Sequence, residues 1–85
     1  MEIEKMKIVT MYEIRAVWAQ GYDFTNDRGE KVSGTTTRAL VLAYDDKAIV
    51  RHDIVKVVPG MQIPEGTITS RLLFDQFGRL IGYDQ

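Results

Sequence analysis

Eighty-five residues, 45% of them hydrophobic and 27% charged, suffice for one domain and no more. With no cysteine and a single histidine, the chain has no disulfide and no thiolate metal site, a structural zinc site is close to excluded, and no cofactor is implied. Eleven basic against twelve acidic residues argue against a strongly basic nucleic-acid binder, while leaving room for a locally basic face.

Glu4, Lys5 and Lys7 interrupt the stretch from Met1 to Met11, so no signal peptide is expected. No apolar run approaches the ~20 residues of a membrane helix. The expectation is a soluble protein of the cytoplasm, without membrane contact, formed by a single domain over residues 1–85. Ile3, Met6 and Met11 are loosely helical in spacing, whereas Ile8, Val9 and Thr10 favour strand, so residues 1–10 are open between the two.

The first strand is expected over Met11 to Phe24, where from Ile14 onward the residues alternate with a period of two. The even face reads Ile14, Ala16, Trp18, Gln20, Tyr22, Phe24 and carries the apolar set; Gly21 marks a bulge or bend. Asn26-Asp27-Arg28-Gly29 is a turn, and a second strand runs from Val32 to Tyr44. Both of its faces become apolar after Ala39, which predicts burial on both sides there. Asp45-Asp46 turns the chain into a third strand, Ala48 to Val58. After the Pro59-Gly60 and Pro64-Glu65-Gly66 turns, a fourth strand covers Thr67 to Phe74 and a fifth Arg79 to Tyr83. Five strands in so short a chain match an all-β, five-stranded OB-type Greek-key barrel. Periodicity does not separate it from an SH3-like barrel.

Little in the chain suggests catalysis. His52 stands alone at mid-strand between Arg51 and Asp53, and nucleophile-elbow, P-loop, dinucleotide and zinc-protease motifs are lacking. The expectation is that the protein is not an enzyme. Aromatic and basic residues near turns say more. Tyr22 precedes the first turn, Arg28 and Lys31 flank its glycine, Arg38 projects from the second strand and Tyr44 ends it. Phe77 sits in Asp75-Gln76-Phe77-Gly78, a turn where polar residues are usual. Such a ring is either folded back over the barrel end or offered to a partner. Exposed aromatics beside Arg and Lys are what a binder of single-stranded nucleic acid needs, since bases stack on rings without a sequence code.

The segment Thr67 to Ile81, with its Gln76-Phe77-Gly78-Arg79-Leu80 turn, resembles the closing hairpin of the gene V type single-stranded DNA-binding proteins of filamentous phages. Upstream, Ala39 to Tyr44 followed by Ile54-Val55-Lys56-Val57 is similar to that family's second and third strands. The resemblance covers roughly residues 35–83. It implies an OB-related barrel, a symmetric homodimer, and cooperative coating of single-stranded DNA during phage replication. It also implies that Tyr44 and Phe77 stack on bases, the latter in the partner's groove, while Lys56, Arg28 and Lys31 meet phosphates. Asp84 and Thr36 depart from the family, standing where it has a basic residue and a tyrosine. The expected site is thus Tyr22, Arg28, Lys31, Arg38, Tyr44, Lys56, Phe77 and Arg79. The expected partner is single-stranded DNA, with RNA an open alternative, in a bacterial host's cytoplasm if the gene is a phage's. The competing class is a structural or adaptor β-barrel that binds protein, as an assembly part of a phage or mobile element.

Overall fold

The structure, a computed structural model, describes residues 9–84, so most of the ambiguous stretch 1–10 lies outside the described residues. Among the described residues six strands form: β1 (Met11–Thr25), β2 (Lys31–Tyr44), β3 (Ile49–Val57), β4 (Thr67–Thr69), β5 (Leu72–Phe74) and β6 (Leu80–Tyr83). They make one sheet in the order β4-β1-β2-β3-β6-β5. Three consecutive antiparallel strands with the fourth returning beside the first is the Greek-key order. β6 then joins β3 in parallel through Val57 and Leu80. The two outermost strands of the sheet, β4 and β5, are consecutive in the chain, with only Ser70 and Arg71 between them. The edges therefore meet, and the sheet is a nearly closed barrel of the OB type.

There are six strands rather than five because the segment expected as one strand, Thr67 to Phe74, breaks at Ser70-Arg71. Its first half pairs with β1 and its second with β6, so the chain must turn a corner between them. Thr69 holds that corner and is 4% exposed. Its hydroxyl accepts the Arg71 amide at 3.2 Å and reaches the carbonyl oxygens of Arg71 and Asp84. The Asp84 amide in turn donates to the Arg71 carbonyl at 3.1 Å.

The second correction concerns which face of β1 is inside. The register against β2 shifts between Ile14 and Ala16, leaving Arg15 as an extra, bulged residue. Gly21, where a bulge or bend was expected, carries no bulge and pairs regularly with Thr35. Because side chains alternate with period two, one extra residue exchanges the faces. Ile14 points into the barrel and is fully buried, whereas Ala16, Trp18, Tyr22 and Phe24 turn outward. Val17 takes over the inward position, opposite buried Ala39. The bulge frees the Val17 amide, which donates to Glu65 Oε2 at 2.9 Å, while the Gly66 amide bonds the Ile14 carbonyl at 2.7 Å.

The interior is small: Ile14, Ala39, Val41, Val57, Ile63 and Leu80, with Tyr12, Val17, Val55, Met61, Leu72 and Tyr83 packed around them. Only one face of β2 enters it. Ala39, Val41 and Ala43 are buried, but Leu40 and Leu42 stay half-buried on the outside, contrary to the expected two-sided burial, because no second layer among the described residues covers the barrel wall there.

Beyond the Thr37–Val57 pair β3 stops, and β1 and β2 continue alone from Gln20–Thr36 to Thr25–Lys31. This arm extends roughly 20 Å past the barrel at ~3.3 Å per residue. It accounts for the elongated shape, 57 Å along one axis and 21 Å along the shortest. Tyr22 lies across Gly34, its cross-strand partner; a Cβ on Gly34 would stand 2.5 Å from the phenol oxygen. The absence of a side chain there lets the ring cover the ribbon and meet Phe24, centroid to centroid at 6.1 Å.

Thr69→Val keeps the side chain's shape but removes the hydroxyl from the corner that closes the barrel. The variant should lose about 1–3 kcal/mol of stability, the usual cost of stranding buried polar partners. Urea unfolding followed by tryptophan fluorescence measures it.

Candidate nucleic-acid interface

Two turns, one at the tip of the arm and one in the β5–β6 hairpin, share one backbone design. In the first, Asn26 Oδ1 accepts the amides of Arg28 and Glu30 at 2.9 and 3.0 Å. In the second, Asp75 Oδ1 accepts those of Phe77 and Arg79, both at 2.9 Å. Each closes with a glycine at positive φ, Gly29 and Gly78, both at 79°. Arg28 and Phe77 hold the same position in the two turns. The backbone is satisfied in both without help from that side chain, so Phe77 is not there to build the turn.

Phe77 is also not folded back over the barrel. It is 72% exposed, more than any other large apolar side chain among the described residues. The Arg79 guanidinium carbon lies 5.3 Å from its ring centroid, a cation–π contact that leaves the ring open to solvent. Arg79 is itself fixed by Asp75, Nε to Oδ2 at 2.7 Å. Lys56 joins Phe77 and Arg79 around an open hollow of about 320 Å³.

Lys56 pairs directly with Arg38 on β2, and Arg38 with Trp18 on β1. A row therefore runs across the outer face of the sheet: Trp18, Arg38, Lys56, then the Phe77 turn. Like charges directly opposite on neighbouring strands destabilise a sheet. Among the described residues the ion pairs are Arg15–Glu13, Arg51–Asp53 and Arg79–Asp75, and none relieves Arg38 or Lys56. The Nε of Arg38 is buried and lacks a hydrogen-bond partner among those residues.

Four of the eight expected residues, Arg38, Lys56, Phe77 and Arg79, thus come together. Tyr22 and Arg28 lie on the arm, Tyr22 on the same outer face as the row. Lys31 pairs with Thr25 and belongs to the opposite face. Tyr44 stands apart, six residues along β2 from Arg38, ~20 Å at the usual strand rise. Its hydroxyl donates to Glu13 Oε1 at 2.6 Å, and its surroundings include Glu13, Asp45 and Asp46. The bond to Glu13, reinforced by burial and by the carboxylate charge, pushes the phenol above its ordinary pKa. The same bond, followed by that to Arg15, holds Glu13 below the ordinary carboxylate value. A single chain therefore does not line one groove with Tyr44 and Phe77.

Trp18 was not among the expected site residues, because its alternation with Ile14 assigns it to the interior. Alternation alone carried no signal of the bulge, since Arg15 already stands on the polar face of a regular strand. Among the described residues no group of three or more His, Cys, Asp or Glu side chains could hold a metal ion. No helix among them is long and apolar enough to cross a membrane. No family model matches the chain, and neither a curated protein nor a solved structure does.

Burial pushes the Asp75 carboxyl up, but bonds from the Arg79 amide and side chain and from the Phe77 amide prevail and hold it below its usual value. A carboxyl depressed in the folded state stabilises the turn above the ordinary Asp range, and that contribution is lost as pH falls through the lowered value. The amide resonances of Phe77 and Arg79 should therefore move together in an acid titration, with a midpoint below that of an ordinary aspartate. Asp75→Asn should abolish that transition; its persistence in the variant would assign it to another carboxylate.

Proposed function

We propose that this chain is a non-catalytic binding module for single-stranded nucleic acid, with DNA as its first substrate. Arg38 and Lys56 hold phosphates and Phe77, steadied by Arg79, stacks a base. The observation that carries the reading is a cation pair, uncompensated among the described residues, beside an exposed ring. A phosphate between Arg38 and Lys56 converts a cross-strand repulsion into two charge-assisted contacts. The outer face of β2 and β3 with the neighbouring turns is where OB barrels bind oligonucleotides. The likeness of the closing hairpin to phage single-strand binders extends the reading to strands coated during phage or mobile-element replication.

A second reading, an adaptor barrel that binds protein, draws on the same outer face, where Trp18, Leu40 and Leu42 are half-buried and Ile54 is 57% exposed. A fluorescent oligo-dT separates the two. Saturable binding should weaken with salt, log K falling with log salt by about 1.4 for two phosphate contacts. Arg79 adds little to this slope because Asp75 already neutralises it. Salt-independent binding, or none, removes the nucleic-acid reading.

Phe77→Ala should reduce affinity by about 1–3 kcal/mol, one base's stacking energy, with the melting temperature unchanged. Tyr44→Ala should leave affinity within about twofold, a change below roughly 0.5 kcal/mol. Trp18 is the sole tryptophan, so its fluorescence reports directly whether the row is covered when the oligonucleotide binds.

A further inference from the structure

β3 is paired with β2 along its length on one side. On the other side, among the described residues, it pairs only at Val57, with Leu80. Among the described residues, Ile49 to Val55 therefore present an open strand edge, a template for another strand, while the Phe77 turn flanks Lys56. Exposed Ile49 and Ile54 flank it, at 52% and 57%. We propose that a second copy of this chain pairs with this edge, β3 against β3, antiparallel about a two-fold axis through His52.

Symmetry and charge select that register. A two-fold axis normal to a sheet keeps upward side chains upward, so the residue on the axis must face its own copy. With Arg51 on the axis two guanidinium groups oppose each other, and with Asp53 two carboxylates do; both arrangements are unfavourable. With His52 on the axis, Arg51 faces the partner's Asp53 and Val50 faces the partner's Ile54.

Within one chain Arg51 and Asp53 already touch at 2.8 Å. Two such pairs side by side in opposite sense form a rectangle of alternating charge, with like charges on the diagonals. On the outer side, Ile54 comes to lie beside the partner's Val50 and Ile49, which covers the exposed isoleucines. The register shift between Ala43 and Tyr44 makes Val50 an extra residue, and this bulge ends the ladder. Edge charges usually block association. Here they block the two neighbouring registers and favour one, which is how a specific interface excludes its alternatives. The operation keeps both outer faces on the same side, so the two Lys56–Phe77 clusters face one way.

The inference stands apart from nucleic-acid binding and is tested without it. Sedimentation equilibrium at tens of micromolar should give twice the monomer mass. Asp53→Arg gathers four guanidinium groups around the axis and should weaken association at least tenfold. The exchange Arg51→Asp/Asp53→Arg restores the alternation and should restore the dimer. Both side chains are more than half exposed, so the fold should persist, as circular dichroism will show. The chain has no cysteine, so His52→Cys introduces a single thiol at the axis. Mild oxidation should link it to its copy, since opposed Cβ atoms in antiparallel pairs approach disulfide range. Ile68→Cys, exposed on β4, should not link. A monomeric mass overturns the proposal. So does a dimer that tolerates Asp53→Arg, or one that fails to cross-link through His52→Cys.

Discussion

One extra residue in β1 governs what this barrel shows to solvent. At Arg15 the register slips, Ile14 stays inside, and the aromatic residues beyond it are carried to the outer face. Such a slip leaves an amide without its ladder partner, and an unpaired backbone donor is costly. Glu65 supplies the acceptor for Val17, from the turn that leads into β4. The same turn donates the Gly66 amide to Ile14. The bulge, the end of β4 pairing and the outward row of Trp18 beside Arg38 are thus consequences of one local arrangement. Without the bulge Trp18 would enter a small core already filled by Ile14, Ala39, Val41 and Val57.

Stability and the candidate site are carried by different groups. The barrel rests on a few buried aliphatic side chains and on the Thr69 corner, all on the inner face or at the seam. The outer row contributes little to that core. Its cations repel each other, and its most prominent ring lies on a turn that Asp75 alone organises. The comparison with the arm's turn shows this most directly. The same hydrogen-bond pattern is built around Arg28, a residue ordinary for a turn, and around Phe77, which is not.

The near-neutral net charge conceals a division of charge. Among the described residues Arg38 and Lys56 lie together on the outer face without carboxylate partners, whereas Glu13, Asp45 and Asp46, with Lys47 beside them, surround Tyr44 at the far end of β2. On the function proposed above, a polyanion is drawn to the first region and repelled from the second. That contrast, and not the total charge, gives the surface its direction.

The sequence by itself determined the class of fold and the punctuation of the chain. Alternation in β1 to β3 and the Asx-x-x-Gly turns at Asn26 and Asp75 are local properties, written in residues that make their own hydrogen bonds. Phe77 could be singled out for the same reason: a ring inside a self-sufficient turn has no local purpose. Tertiary structure decided the rest. Which face of β1 is inside depends on a bulge satisfied by Glu65, forty-eight residues from Val17. The break of the fourth strand depends on Thr69 meeting Asp84, because the chain must serve both edges of one sheet. The union of Arg38, Lys56 and Phe77, and the separation of Tyr44 from them, follow from strand register. Register is set by pairing between distant segments, and alternation within one strand contains no information about it.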